Sequence, residues 1–140
     1  MASLYERLGG HESINAVVED FVARCAADDR INGKFARTDI PRLTQMLQDQ
    51  VCMASGGPCT YAGRSMRETH DGMGVTAGEF DALVDDLVAT LDHFAVPKAE
   101  QEELLGILGP LRGDIVEVET PQTGRPLPDS YQPAPPLSTA

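Results

Sequence analysis

Apolar residues return at helical spacing along most of this chain, and that period decides the fold class. Ile14, Val17, Val18, Phe21, Val22 and Cys25 fall at offsets 0, 3, 4, 7, 8 and 11, which is one face of an α-helix. Asp28-Asp29 and then Asn32-Gly33 end it. A second helix is expected from about Thr38-Asp39 to Ala54, with Asp39 as N-cap and Pro41 in the tolerant first turn. Its stripe is Leu43, Met46, Leu47, Val51 and Ala54, and Ser55-Gly56-Gly57-Pro58 stops it. Thr76 opens a long helix, with Glu79 three residues on as a capping box. Phe80, Leu83, Val84, Leu87, Leu91 and Phe94 are expected inward, and Asp81, Asp85, Asp86 and Asp92 on the wet side. Pro97 opens the last helix, with Leu104, Leu108, Leu111 and Ile115 inward and a bend or break at Gly106, Gly109 and Pro110. No strand pattern competes, so the class is all-α.

A length of 140 residues suits one domain. Six of the ten prolines lie after Val118, so residues 1–118 read as the globular domain and 119–140 as a proline-rich, extended or disordered tail. A PxxP-type ligand is the alternative for that tail. The formal charge of -11 argues against nucleic acid and against an anionic membrane surface. No apolar run is long enough to span a bilayer. Glu6 and Arg7 stand where a secretion signal needs an apolar core, so a cytoplasmic location is expected. Cys25, Cys52 and Cys59 form no disulfide framework and no zinc spacing, and three reduced thiols are expected. Cys25 belongs to the buried stripe, while Cys52 and Cys59 are free to pair on oxidation.

No phosphate loop, dinucleotide fingerprint or nucleophile elbow is present, and no catalytic residue is assigned. The acids read as a solvated surface. His11 follows a glycine pair at a helix start, and His93 lies toward the wet side of its helix. His70 ends a short helix expected around Ser65–His70, inside an otherwise loop-like stretch from Cys59 to Gly74. By spacing alone it reads as a structural histidine.

Five pieces stand in order: LYERLGG (4–10), VVEDF (17–21), F-x-x-T-D (35–39), SGGP-x-x-Y-x-G-R-x-M-R-E-x-H (55–70) and E-F-D-A-L-V-x-D-L-x-x-T-L (79–91). Together they resemble a truncated haemoglobin of group I, over about Leu4 to Ile115. The resemblance implies a two-on-two helical sandwich around haem b, with sharp turns at glycines 9–10 and 56–57. It makes His70 the proximal ligand of the iron and sets Phe35 stacked on the porphyrin. Tyr61 and Met66 then line the proximal and edge side, and Leu43, Met46 and Leu47 face the distal side. A neutral imidazole suits that axial role, and positions 43, 46 and 47 share one helix face.

The departures from the family pattern lie on the distal side. Val22 stands where a tyrosine is usual, and Leu43 and Leu47 stand where glutamine is common. Gln50 is the one polar side chain returning to that stripe, with Gln45 and Gln48 on the opposite face. Loss of these donors removes about 1 to a few kcal/mol from a partly anionic ligand. That counts against tight O2 storage and weakens nitric oxide dioxygenation. Met46 takes a position where some relatives ligate the iron, and a thioether can do the same. Filling an apolar pocket is its plainer role. The expected function is binding of a small diatomic ligand (O2, NO or CO), or one-electron redox with a separate reductase, by a monomer. The alternative is a haem-free helical sensor or interaction module with a globin shape.

Overall fold

The computed structural model describes residues 3–35, 39–59 and 73–124. Within them the chain is helical. Helix α1 (Leu4–Arg7) is capped by Ser3, whose hydroxyl accepts from the Glu6 N–H. Helix α2 (Gly10–Ala27) buries Ile14, Val18, Val22 and Cys25 of the stripe expected from its period, with Val17 and Phe21 half-buried. A 3-10 turn follows at Asn32–Phe35. Helix α3 (Ile40–Ala54) starts at Asp39, whose carboxylate accepts from the Arg42 N–H, with Pro41 in its first turn. Helix α4 (Ala77–His93) opens on Thr76, and the Thr76–Glu79 capping box is complete in both directions. Helix α5 (Lys98–Leu108) passes through a 3-10 turn at Gly109–Leu111 into the short α6 (Arg112–Ile115). The expected break therefore falls at Gly109-Pro110, and α5 runs through Gly106 undisturbed.

Helix α2 is the spine, packing on both α3 and α4, while α1 packs on α2 and α5. Leu4, Leu87, Leu91 and Leu104 form one buried cluster, and Ile14, Val18 and Val22 a second. A third, Cys25, Ile31 and Ala82, lies where the α2 C-terminus meets α4. Both glycine pairs sit at turns, with φ of 102° at Gly9 and 90° at Gly56. Two expectations for α4 change. Phe94 is 40% exposed, because the helix ends beside it. Asp86 turns inward to a side-chain exposure of 13%, drawn toward Arg30 at 3.8 Å.

Residues 116–124 do not simply leave the globule. The Glu117 and Val118 N–H groups donate to the Val75 carbonyl at 2.8 and 3.1 Å, and Thr76 bridges Val118. The Ala77 N–H donates to the Val118 carbonyl and the Gly78 N–H to the Thr120 carbonyl, each at 3.0 Å. The Thr76 hydroxyl donates to the Gln122 carbonyl. The Gly124 N–H reaches the Arg30 carbonyl at 2.6 Å, and Arg112 holds Glu119 through two nitrogens. This strap supplies acceptors for N–H groups that a helix N-terminus otherwise leaves unpaired. Residues 125–140 lie outside the described part of the chain.

Candidate functional site

Asp39 and Pro41 fix the start of α3 and so fix which face Leu43, Met46 and Leu47 share. All three side chains are half-buried. Leu47 packs with Ile40 and Val51 against Ile14, Val18 and Val22. Val22 itself is 5% exposed, so the position expected to carry a hydroxyl is a closed apolar contact. Phe35, at the end of the 3-10 turn, is half-buried against Cys25, Ile31 and Ala82, with Phe21 and Leu83 beside it. The structure thus brings Val22 and Leu47 together in one cluster. Phe35 sits in a separate one, with Cys25 and Phe21. Leu43 and Met46 join neither buried cluster. Tyr61, Met66 and His70, with the short helix expected at 65–70, lie outside the described residues.

The glutamines divide as the helical period requires. The Gln48 amide donates to the Asn15 carbonyl at 3.3 Å, and Gln45 lines a polar groove with His11, Asn15 and Glu19 between α2 and α3. Gln50 is half-buried. Among the described residues, no three His, Cys, Asp or Glu side chains gather to hold a metal ion.

Three features carry no signal in the sequence pattern. The Lys34 ammonium lies 3.4 Å from the Glu79 carboxylate, with side-chain exposures of 5% and 1%. The same carboxylate oxygen accepts the Thr76 N–H at 2.9 Å. A charged pair is thus buried next to Phe35, where a polar turn reads as solvent. At the foot of α2, Arg30 binds the Asp28 carboxylate at 2.9 Å and reaches Asp85 at 3.3 Å. Hydrogen bonding to Arg30 holds Asp28 down to about 2, while burial and then the bond to Asp28 push Asp86 up to about 6. Burial also pushes the Cys25 thiol up.

The third feature corrects the expectation of three reduced thiols. Cys52 and Cys59 are joined in a disulfide with their Cα atoms 5.7 Å apart, and Cys25 alone is free and buried. The turn Ser55-Gly56-Gly57-Pro58 brings them together, and a seven-residue spacing across a turn does not announce this in advance.

A helical frame with α2 as spine, and an apolar α3 face turned toward it, defines a two-on-two globin. The bacterial-like globin family matches residues 3–117. The group 1 truncated hemoglobin GlbN of Mycolicibacterium paratuberculosis is 36% identical over 118 residues, which is 84% of this chain and 87% of that protein. The group 1 truncated hemoglobin of Tetrahymena pyriformis is 34% identical over 114 residues, 81% and 94% of the two chains. The crystal structure of truncated hemoglobin from Tetrahymena pyriformis in its Fe(III) form superposes with a TM-score of 0.79, covering 82% of this chain and 98% of that one. The 2/2 hemoglobin of Synechococcus sp. PCC 7002, in the cyanomet state with covalently attached heme, superposes at 0.78 with 36% identity, again over 82% and 98%. This chain belongs to the bacterial-like globin family, among the group 1 truncated haemoglobins.

Proposed function

We propose that this chain is a haem-binding truncated haemoglobin for small diatomic ligands, with His70 as proximal ligand and Met46 as an internal sixth ligand. The observation that carries the proposal is the α3 face itself. Leu43, Met46 and Leu47 are uncharged, half-buried and on one face of α3, and Leu47 packs against the closed Val22 contact. Such a wall fits the apolar face of a porphyrin, and its one soft donor is the Met46 thioether.

Haem supplies the iron that binds a diatomic ligand reversibly or passes one electron. The chain's own residues hold and screen it. His70 would hold the iron, Phe35 would stack on the ring, and Tyr61 and Met66 would line its edge. Leu43, Leu47 and Val22 exclude water from the distal side. They offer no hydrogen-bond donor, so O2 loses about 1 to a few kcal/mol of hold that a hydroxyl or amide would give. CO and NO, which lean less on such a donor, lose less. The thioether carries no proton, so ligation by Met46 is independent of pH where a histidine's is not. Reduction of the iron falls to a separate reductase. A monomer in the cytoplasm completes the reading, and no helix among the described residues is long and apolar enough to cross a membrane.

Optical spectra of the purified protein test this. A Soret band and low-spin ferric and ferrous bands are expected. Met46→Ala should convert the low-spin bands to high-spin or water-bound ones, and His70→Ala should strip the proximal bond. Unchanged low-spin bands in Met46→Ala would remove Met46 as ligand. A purified chain with no Soret band would favour a haem-free interaction module.

A further inference from the structure

Cys52 lies on α3 six residues after Met46, and Cys59 opens the stretch that leads to Tyr61, Met66 and His70. The disulfide therefore ties the helix of the distal wall to the start of the segment carrying the proximal ligand. The turn between the two cysteines is also held by other bonds. The Tyr5 N–H donates to the Ser55 carbonyl and the Gly57 N–H to the Cys52 carbonyl, both at 2.8 Å. The Ser55 hydroxyl donates to the Val51 carbonyl at 2.7 Å. Cys52 is 1% exposed, and a Cβ at Gly57 would lie 2.8 Å from its sulfur. Cys59 is half-buried and is the end that a reagent can reach. Opening the bond thus releases Cys59 from α3, while α3 and the turn through Gly57 keep their hydrogen bonds.

We propose that Cys52–Cys59 is a reversible thiol–disulfide switch that sets how tightly the haem site binds diatomic ligands. The proposal rests on the haem-binding function proposed for this chain. The chemistry needs a dithiol reductant. Its thiolate attacks the Cys59 sulfur, forming a mixed disulfide and breaking the Cys52–Cys59 bond. The bonding pair leaves on the Cys52 sulfur, which takes up a proton. The reductant's second thiolate then displaces Cys59 as a thiol and closes the oxidised dithiol. The oxidised dithiol restores the bond by the reverse steps. Cys25 takes no part, because it is buried in a different cluster.

The full-length haem protein tests this by the CO association rate after flash photolysis and the CO dissociation rate by NO replacement, whose ratio is the affinity. Oxidised wild type is compared with wild type reduced by a phosphine that is then removed. Cys59→Ser and Cys25→Ser are measured beside them, with non-reducing mass before and after the iron is reduced. Reduced wild type and Cys59→Ser should agree with each other in affinity and differ from oxidised wild type by about fivefold or more, the lower end of ordinary coupling between sites. Cys25→Ser should still switch. Equal affinities in both redox states, with the Soret band intact, would overturn the switch and leave the haem-binding function standing. A mass showing no Cys52–Cys59 bond in air-exposed protein would also overturn it. A chain without a Soret band would remove both. Phosphine-treated wild type keeps the test open if Cys59→Ser fails to fold.

Discussion

Asp86 is an acid on a helix otherwise lined with exposed aspartates, yet its Oδ2 is buried without a hydrogen bond among the described residues. Burial first, and the Asp28 carboxyl second, hold it at about 6. An acid whose folded value is raised favours folding while it keeps its proton. Its contribution is whole below about pH 4 and is lost as pH climbs through about 6. Asp28, lowered by Arg30 to about 2, acts in the opposite sense, and its contribution is lost only as pH falls toward that value. Asp86→Asn stays neutral at every pH and keeps a donor for Asp28. It should therefore be more stable than wild type at pH 7, by at most about 3 kcal/mol, with the two converging near pH 4. Denaturant unfolding at several pH values between 4 and 7 measures this, and a difference that ignores pH would refute it.

At the scale of elements, α4 shows what a sequence announces. Thr76 and Glu79 three residues apart forecast its first turn, and the Glu79 N–H meets the Thr76 hydroxyl at 3.0 Å. Thr76→Val removes that acceptor and also the donor to Gln122, so it should cost about 1–3 kcal/mol, while Thr76→Ser should stay near wild type in thermal unfolding. Helix α3 fully buries only Cys52, off its expected stripe, while the stripe of α2 was legible for the same reason, since burial follows a period that side-chain identity displays. So was the shared face of Leu43, Met46 and Leu47. The features that stayed hidden depend on partners distant in sequence. Lys34 reads as solvent in a polar turn until Glu79 arrives from α4. Asp86 reads as surface until Asp28 and Arg30 meet it. The strap at 117–124 binds mostly through backbone groups, which any residue carries, while composition alone started an extended tail at Glu119.

At the scale of the whole molecule, the strap runs past the end of the family match. The family match ends at residue 117, and the Tetrahymena pyriformis structure is 98% covered by 82% of this chain. Yet residues 118–124 rejoin α4 and the Arg30 carbonyl, close to the turn that carries Lys34 and Phe35. Gly78 makes this docking possible, because a Cβ there would collide with the Pro121 carbonyl, a backbone atom that cannot swing aside. Gly78→Ala therefore acts in two directions. The methyl lowers the entropy of the unfolded chain and favours helix by about 0.5–1 kcal/mol. It also displaces residues 120–122 and leaves the Gly78 N–H and the Thr76 hydroxyl without their acceptors, a loss of about 1–3 kcal/mol. In the full chain the second effect wins and the variant should melt lower. In a chain ending at Val118 only the first remains, so the same substitution should be neutral or stabilising. That reversal of sign in a double-mutant cycle, read by thermal unfolding, distinguishes a docked strap from a passive tail. Equal effects of Gly78→Ala in the two chains would show that residues 119–124 do not bind α4.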